Sequence, residues 1–212
     1  MRDLIERKDF EGIRKALSSN PALANEPISL SDHDARKAHP LHRICDGVFA
    51  KKYTDDDASV MATIFFEFGA NVNGSEMIDM IDTPLIAASS LNADHTAELY
   101  IDRGADLGHR GCHGGTALHW AAWCGREELV KKLIVAGADI NKKCVEFDST
   151  PLLWAVHGYK FGESNRHHQI ECVKLLADAG AEKNIPNKEG KRPIDFLSDD
   201  NPDDKLLKEL LR

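Results

Sequence analysis

The chain has 212 residues, of which 42% are hydrophobic and 29% are charged, and its formal net charge at pH 7 is −8. These values are typical of a soluble globular protein, and the negative charge argues against nucleic acid or an anionic membrane as the main partner. No run approaches the roughly 18 apolar residues that are needed to span a bilayer. Five cysteines, an odd number without a framework spacing, favour a reducing compartment, so we expect a cytoplasmic protein.

The first 30 residues predict two short helices followed by a polar loop. Leu4 and Ile5 lie on the first helix, which ends at Lys8. The second helix is marked by apolar residues at helical spacing, Phe10, Ile13 and Leu17. Residues 26–38 are polar and irregular, which favours an elongated hairpin before the next helix.

From residue 39 onward, a four-residue phrase recurs at the predicted start of a helix: His39-Pro40-Leu41-His42, Thr83-Pro84-Leu85-Ile86, Thr116-Ala117-Leu118-His119 and Thr150-Pro151-Leu152-Leu153. Proline in the first helical turn loses no hydrogen bond, and the Thr hydroxyl can cap the free N–H groups there. A second helix follows each phrase and ends at a Gly-Ala pair, where glycine accepts a left-handed conformation at little cost. The pairs are Gly69-Ala70, Gly104-Ala105, Gly137-Ala138 and Gly180-Ala181. The threonines of the last three phrases are 33 and then 34 residues apart.

Residues 188–212 predict a closing unit of the same kind. Arg192-Pro193-Ile194-Asp195-Phe196 stands in place of the phrase, and 205–211 have the pattern of a second helix. The exposed side of that helix is charged, as the last unit of a repeat array requires, because that side meets water.

These residues carry a resemblance to a known family. The segment from Gly114-Gly115-Thr116 through Asp139-Ile140-Asn141 resembles an almost complete ankyrin repeat, and the phrase recurs in phase four times. The resemblance implies an all-α solenoid of paired antiparallel helices with short hairpin loops and divergent terminal repeats. It implies a single domain over 1–212, with repeats in the following order: a degenerate repeat at 1–30, central repeats at 36–74, 79–108, 112–142 and 146–184, and a capping repeat at 188–212.

Two repeats are longer than the period, since 44 residues separate His39 from Thr83 and 42 separate Thr150 from Arg192. We place the extra residues between the two helices of each repeat, at 48–57 and 159–168. The helices of the earlier repeat are then expected at 40–46 and 58–68. In an ankyrin array every turn between the two helices lies on one edge, so both insertions are expected there, about 30 Å apart at ~10 Å per repeat.

The two insertions allow two interpretations. Long surface loops cost little closure entropy, so both are readily tolerated without any role. The aromatic residues within them favour use as contact sites, because solvated loops rarely gain from aromatic side chains. These residues are Phe49, Tyr53, Tyr159 and Phe161.

In the ankyrin family, partner contacts come from hairpin tips and from the exposed side of the inner helix. The register of this chain places seven residues at such positions over the central repeats. The resulting partner-binding set is Met80, Leu91, His113, Trp123, Phe147, His157 and Tyr159. A tryptophan that faces solvent leaves roughly 1.5–3 kcal/mol of burial unused, and a groove lined by aromatic residues is a usual mark of an interface. The alternative for Trp123 is that the insertion of the next repeat covers it.

Trp120 and Trp154 have a different expected role. Both lie four residues after a Thr, where the family has a core Leu, so we predict that they pack in the core. His42 and His119 complete the repeated phrase, and the resemblance implies structural rings that hydrogen-bond the adjacent hairpin backbone.

Histidine and cysteine are concentrated in the third and fourth repeats, but no pair has the Cys-x₂-Cys or His-x₃-His spacing of a local metal site. Cys124 with His119 or His157 is the one conceivable nucleophile and base, yet no oxyanion element accompanies them. There is no glycine-rich phosphate loop or zincin motif either. We therefore expect no cofactor, no metal, no catalytic residue and no enzyme activity.

Two functions remain in view. The first is a protein–protein interaction module, an adaptor or regulator that binds a protein or peptide in its concave groove. The second is an inhibitor or immunity-type protein whose acidic surface covers the basic active site of a specific enzyme or toxin. A weaker third interpretation is a metal or redox protein built on the His/Cys cluster. Steep salt dependence of partner binding favours the inhibitor, and weak dependence favours the adaptor. We expect a monomer with a protein or peptide partner, a basic one included, and with neither nucleic acid nor membrane as partner.

Overall fold

The computed structural model describes residues 1–29, 36–74, 77–162 and 166–212. Helices dominate these residues, which confirms the predicted all-α class. The helices in chain order are α1 Arg2–Glu6, α2 Phe10–Ser19, α3 Pro40–Phe49, α4 Asp55–Glu67, α5 Pro84–Ser90, α6 Asp94–Asp102, α7 Ala117–Trp123, α8 Glu127–Val135, α9 Pro151–Phe161, α10 Arg166–Asp178 and α11 Pro202–Leu211. Single 3₁₀ turns lie at Pro21–Ala24, Cys112–Gly114 and Pro193–Phe196.

A short antiparallel pair precedes α3. Strand β1, Ile28–Ser29, pairs with β2, Lys37–Ala38, and Ile28 lies opposite Ala38. This pairing agrees with the elongated hairpin that was predicted over 26–38, although 30–35 lie outside the described residues.

The chain forms two compact units. The first unit comprises Met1–Ile78 and Asp82–Asp106, and the second comprises Asp79–Ile81 and Leu107–Arg212. In the first unit α3 packs on α4 and on α5, while α6 packs on α4 and α5. In the second unit α7 packs on α8 and α9, and α10 packs on α8, α9 and α11. Each unit is therefore built from stacked helix pairs.

Each central repeat has an inner helix, which begins at the repeated phrase, and an outer helix, which follows it and ends at the Gly-Ala pair. The start of each inner helix is explained by the phrase. Thr83 Oγ1 accepts a hydrogen bond from the Ile86 N–H, and Thr150 Oγ1 accepts one from the Leu153 N–H, both at 3.4 Å. The outer helices end at glycines with positive φ, as the Gly-Ala pairs predict; Gly137, for example, has φ of 91°. Each cap satisfies backbone groups that a helix end would otherwise leave unpaired.

The first insertion is shorter than predicted. Helix α3 continues to Phe49 and α4 begins at Asp55, so the bounds 40–46 and 58–68 were wrong and much of 48–57 is helical. The outer helix begins early because Thr54 and Asp57 form a capping box, in which the Thr54 N–H and hydroxyl donate to Asp57 Oδ2 at 3.0 and 2.9 Å. Tyr53 is buried and its hydroxyl donates to the Ile44 carbonyl at 2.9 Å, so this aromatic residue supports the fold.

The second insertion is also largely helical. Helix α9 runs through Phe161 and α10 begins at Arg166, so the placement of 159–168 as a loop was wrong at both ends; 163–165 lie outside the described residues. Tyr159 is only 2% exposed, and its hydroxyl donates to Asp204 Oδ1 at 2.7 Å. The expectation that Tyr159 faces the groove was therefore wrong, because its ring is buried and its hydroxyl is bonded to α11.

The closing unit departs from a full repeat. The residues from Pro193 to Phe196 make only a 3₁₀ turn, where the central repeats have an inner helix. Helix α11 begins at Pro202, three residues before the predicted start, because Asn201 caps it by accepting from the Asp204 N–H at 2.8 Å. This unit still covers α10.

Candidate partner-binding pocket

A pocket of about 420 Å³ lies in the second unit. Its lining is mostly aromatic and includes all three tryptophans of the chain. The lining residues are His113, Trp120, Trp123, Phe147, Ser149, Leu153, Trp154, His157, Asn187 and Glu189. They come from two inner helices, α7 and α9, and from the hairpin segments that precede α7, α9 and the last 3₁₀ turn.

Backbone hydrogen bonds hold the hairpin segments beside one another. The Glu146 N–H donates to the His113 carbonyl at 3.1 Å, and the Lys188 N–H donates to the Phe147 carbonyl at 2.9 Å. His113 and Phe147 consequently lie with ring centroids 5.5 Å apart. The hairpins thus form one continuous wall of the pocket.

His119 fixes the start of α7 relative to the next hairpin. The Thr116 N–H donates to His119 Nδ1 at 3.0 Å, and the Thr116 hydroxyl lies 2.9 Å from the same atom. Nε2 lies 3.1 Å from the Ser149 carbonyl. Burial lowers the pKa of His119 to about 4, so the ring is neutral at pH 7 and donates from Nε2. Both ring nitrogens are therefore occupied, as the structural interpretation of His119 predicted, and neither is free to act as a base for Cys124.

Trp154 lines the pocket but is only 6% exposed. Its ring centroid is 5.2 Å from that of Trp120 at an interplanar angle of 79°, and 6.2 Å from that of Trp123 at 74°. The Phe147 centroid is 6.3 Å away. Edge-to-face packing of this kind is favourable for aromatic rings.

His157 forms the side of the pocket next to the closing unit. Its centroid lies 4.3 Å from that of Phe196, 5.4 Å from Phe161 and 6.4 Å from Trp123. Burial lowers the pKa of His157; the Glu189 carboxylate opposes this shift and the Lys191 ammonium adds to it. His157 Nε2 is buried, as is Trp120 Nε1, and neither has a hydrogen-bond partner within the described part of the chain.

Two of the lining residues, His113 and Glu189, pair with ionisable side chains outside the lining. His113 Nδ1 lies 2.5 Å from Glu146 Oε2, and the Lys191 ammonium lies 3.4 Å from Glu189 Oε2. The side chains of the second pair are 53% and 69% exposed, so their attraction is strongly screened.

The structure brings four of the seven predicted site residues together at this pocket: His113, Trp123, Phe147 and His157. Met80 is 45% exposed in the turn at 79–81, where its N–H donates to the Arg110 carbonyl, and it lies outside the lining. Leu91 caps α5 in the first unit. Tyr159, as described above, is buried.

The core assignment of the two other tryptophans holds for Trp154 and was wrong for Trp120. Trp120 is only partly buried, and its ring centroid lies 6.0 Å from that of His113, in the hairpin segment before α7. Glu189 was missed altogether. It lies three residues before Arg192, so the hairpin register of the other repeats, continued into the closing unit, would have included it.

Two further properties bear on the class of site. Among the described residues, no group of three or more His, Cys, Asp or Glu side chains is arranged to hold a metal ion. In the described ranges, no helix has the length and apolar character to cross a membrane.

Comparison with known proteins identifies the class. A family model described as ankyrin repeats (three copies) matches residues 56–144, and a second, described as ankyrin repeat, matches 147–188. Together these matches cover more than half of the chain. The protein belongs to the ankyrin repeat family, whose repeats are generally protein–protein interaction modules rather than enzymes.

Individual relatives agree with the family. The chain is 31% identical over 150 residues to neurogenic locus notch homolog protein 1 of Xenopus tropicalis, covering 70% of this chain and 5% of that protein. It is 30% identical over 126 residues to the E3 ubiquitin-protein ligase KEG of Arabidopsis thaliana, covering 56% of this chain and 7% of the ligase. The chain thus spans less than a tenth of either relative. A crystal structure of an ankyrin repeat domain from Acinetobacter baumannii AYE is similar in fold, with a TM-score of 0.74, 24% identity, and coverage of 99% of this chain and 94% of that one.

Proposed function

We propose that this protein is a non-enzymatic adaptor or regulator that binds a protein or peptide partner in the tryptophan pocket of its second unit. The tryptophan pocket denotes the ten lining residues given above. The observation that carries the proposal is the gathering of all three tryptophans, with Phe147 and His157, around one open space.

The aromatic lining supports a binding role on energetic grounds. Trp120, Trp123 and His157 are each partly exposed, and Phe147 is 43% exposed, so apolar area stays in contact with water in the free protein. Covering such area stabilises a complex by about 25 cal/mol per Å² before the costs of association. Tryptophan is also enriched among residues whose truncation weakens an interface most.

The pocket is rigid enough to serve as a preformed site. Trp154 is buried beneath it, His119 ties α7 to the following hairpin, and backbone bonds connect the hairpins. A preformed site avoids part of the ordering cost that flexible loops incur on binding. We also propose a cytoplasmic location, which is supported by the odd number of cysteines and by the lack of a disulfide bond among the described residues.

Affinity capture from native extract tests the proposal, with the wild-type chain, Trp123→Ala and Lys131→Ala as parallel baits. Lys131 lies on α8 and its side chain is 63% exposed, so it provides a matched surface control. We expect a partner that is retained by wild type and Lys131→Ala and lost by Trp123→Ala. A partner that binds Trp123→Ala and Phe147→Ala as tightly as wild type would refute the pocket as the binding site.

A further inference from the structure

We propose that the tryptophan pocket receives an arginine side chain of the partner, with the guanidinium held between indole faces and the Glu189 carboxylate. The inference rests on the proposed function, because it names the chemical group that the same pocket recognises. Three features of the pocket carry it: the ring geometry, the position of Glu189 and the ammonium group that already lies beside it.

The ring geometry provides more than one face for a cation. Trp120 and Trp123 both stand nearly perpendicular to Trp154, at 79° and 74°. Both rings line the pocket and are partly exposed, so each offers indole surface to an occupant. A cation over an indole face is attracted by the negative face of the ring, and tryptophan is the strongest of the aromatic residues in this respect.

One carboxylate side chain, that of Glu189, is among the residues that line the pocket, and it is largely exposed. Glu189 lines the pocket together with Asn187, and Asn187 Oδ1 fixes the turn by accepting from the N–H groups of Glu189 and Lys191 at 3.0 and 2.9 Å. An apolar occupant would remove water from this carboxylate without replacing the lost hydrogen bonds. A guanidinium compensates that loss, because its planar fork of donors matches a carboxylate. The chain's net charge of −8 favours the approach of such a group.

A cation already occupies the edge of this region. The Lys191 ammonium lies 3.4 Å from Glu189 Oε2 and 5.5 Å from the centroid of Phe196, the ring that packs on His157. The Lys191–Glu189 pair is exposed and weak, so a better donor can displace the ammonium. The free protein thus shows, in Lys191, the kind of contact that the partner's arginine would make more fully.

Arginine suits the site better than lysine does. The guanidinium is planar and weakly hydrated, so it stacks on an indole face at a smaller desolvation cost than a compact ammonium. Its five N–H donors reach a carboxylate while the plane stays stacked. We therefore expect the pocket to prefer arginine over lysine, and over neutral groups of the same shape.

The test uses the three indole N–H resonances of the ¹⁵N-labelled full chain, because every tryptophan lies in the pocket. Short capped peptides, identical except for one central residue, are titrated to about 10 mM, which detects even weak binding. The central residue is arginine, citrulline, lysine, trimethyl-lysine or norleucine. Citrulline has the shape of arginine without its charge. We expect the arginine peptide to bind about three- to thirtyfold more tightly than the citrulline peptide.

Two variants at neighbouring positions provide a further test, since they should change the affinity for the arginine peptide in opposite directions. Glu189→Gln should reduce the preference for arginine over citrulline to about threefold or less. Lys191→Ala should strengthen arginine binding by about two- to threefold, because it removes the competing ammonium. Both side chains are exposed, so neither substitution should disturb the fold.

Each remaining outcome overturns the assignment. Equal affinity for arginine and citrulline, a preference for norleucine or trimethyl-lysine, or no indole shift with any peptide would each exclude a guanidinium site. These results are separable from a failure of the proposed function. If Trp123→Ala still abolishes capture of the partner, the pocket remains the binding site and only the identity of the bound group is wrong.

Discussion

The two units have the same scaffold but differ in the residues that the repeats place at the same positions of their inner helices. The positions four and seven residues after the start of each phrase are polar or small in the first unit and aromatic in the second. In the first unit they are Arg43 and Asp46 on α3, and Ala87 and Ser90 on α5; in the second they are Trp120 and Trp123 on α7, and Trp154 and His157 on α9.

The pocket that borders the two α3 positions is much smaller than the tryptophan pocket. Arg43 Nη1 donates to Asp46 Oδ2 at 2.6 Å, and these residues border a pocket of only about 70 Å³. The tryptophan pocket of the second unit is about 420 Å³. The backbone pattern of the repeats is the same in both units, so the repeat specifies the fold, and a few variable positions give each unit a different surface.

The largest expected effect is on the stability of the second unit. Trp154→Ala should destabilise the protein by about 3–5 kcal/mol, because it removes a buried ring on which Trp120, Trp123 and Phe147 all pack. Urea unfolding measures the change. Trp120→Ala should cost clearly less, since that ring is partly exposed. Equal losses at the two positions would mean that Trp120 contributes to the core as much as Trp154 does.

The ends of the chain provide a second contrast. Asp204 is fully buried and accepts from Lys160 Nζ at 2.8 Å, the Tyr159 hydroxyl at 2.7 Å and the Ser198 N–H at 2.6 Å. Asp204→Ala should cost about 3–5 kcal/mol, because it leaves the partly buried Lys160 ammonium and the buried Tyr159 hydroxyl without their acceptor. The exposed pair of Lys8 and Asp57 near the other end should matter little, so Lys8→Ala should leave the Tm nearly unchanged.

The contribution of Asp204 also has a pH dependence with a definite sign. Burial alone would raise the pKa of its carboxyl, but the hydrogen bonds from Lys160, Ser198 and Tyr159 outweigh burial and lower it. A lowered pKa in the folded state means that the contribution is complete above the ordinary Asp value of about 4 and is lost as the pH falls below it. Unfolding free energies of wild type and Asp204→Ala should therefore converge below about pH 4. A constant difference down to pH 2 would contradict this assignment.

Binding provides the third test of the contrast. Trp123→Ala should weaken partner affinity by about 2 kcal/mol or more, roughly thirtyfold, while the Tm changes little. Ser90→Ala alters the corresponding position of the first unit and should leave affinity unchanged. Calorimetric titration with the captured partner measures both. Equal losses with the two variants would mean that the first unit contributes as much as the tryptophan pocket.

The smallest expected effect is on the ends of the outer helices, and it tests whether the backbones of the two units are equivalent there. Gly104 in the first unit and Gly137 in the second both end an outer helix with positive φ, at 79° and 91°, and both have open space where a Cβ would lie. Valine at either position should cost about 1–2 kcal/mol from backbone strain alone. Thermal unfolding should show similar losses, and a large difference between the two would indicate that the helix ends are not equivalent.

The fold could be predicted from the sequence because local signals recur. Thr83 and Thr150 start their helices, and the four Gly-Ala pairs end theirs, through interactions that are confined to a few residues. The helix lengths near the two insertions were predicted less well. They depend on side-chain contacts, such as the capping box at Thr54 and the burial of Tyr159 against α11, that are not evident from the sequence pattern.

The candidate site was predicted only in part for the same reason. Trp123, Phe147 and His157 lie where the register placed them. The partial exposure of Trp120 was not predicted, because its contact with His113 is a tertiary contact that the spacing of residues along the sequence does not reveal. Glu189 belongs to the last repeat, in which Arg192-Pro193-Ile194 replaces the usual phrase, so its position relative to the helix start was not recognised from the sequence.

Two histidines of the repeated phrase, His39 and His119, make the folding stability depend on pH. His39 caps α3 and His119 joins α7 to the next hairpin, and burial lowers the pKa of each to about 4. The unfolded chain titrates near 6.5, so between about pH 6.5 and 4 it binds one more proton at each ring than the folded chain does, and folding stability falls as the pH falls. Each ring can account for about 3 kcal/mol across that interval. His39 belongs to the first unit and His119 to the second, so mild acid should destabilise both units well before the carboxylate of Asp204 begins to titrate.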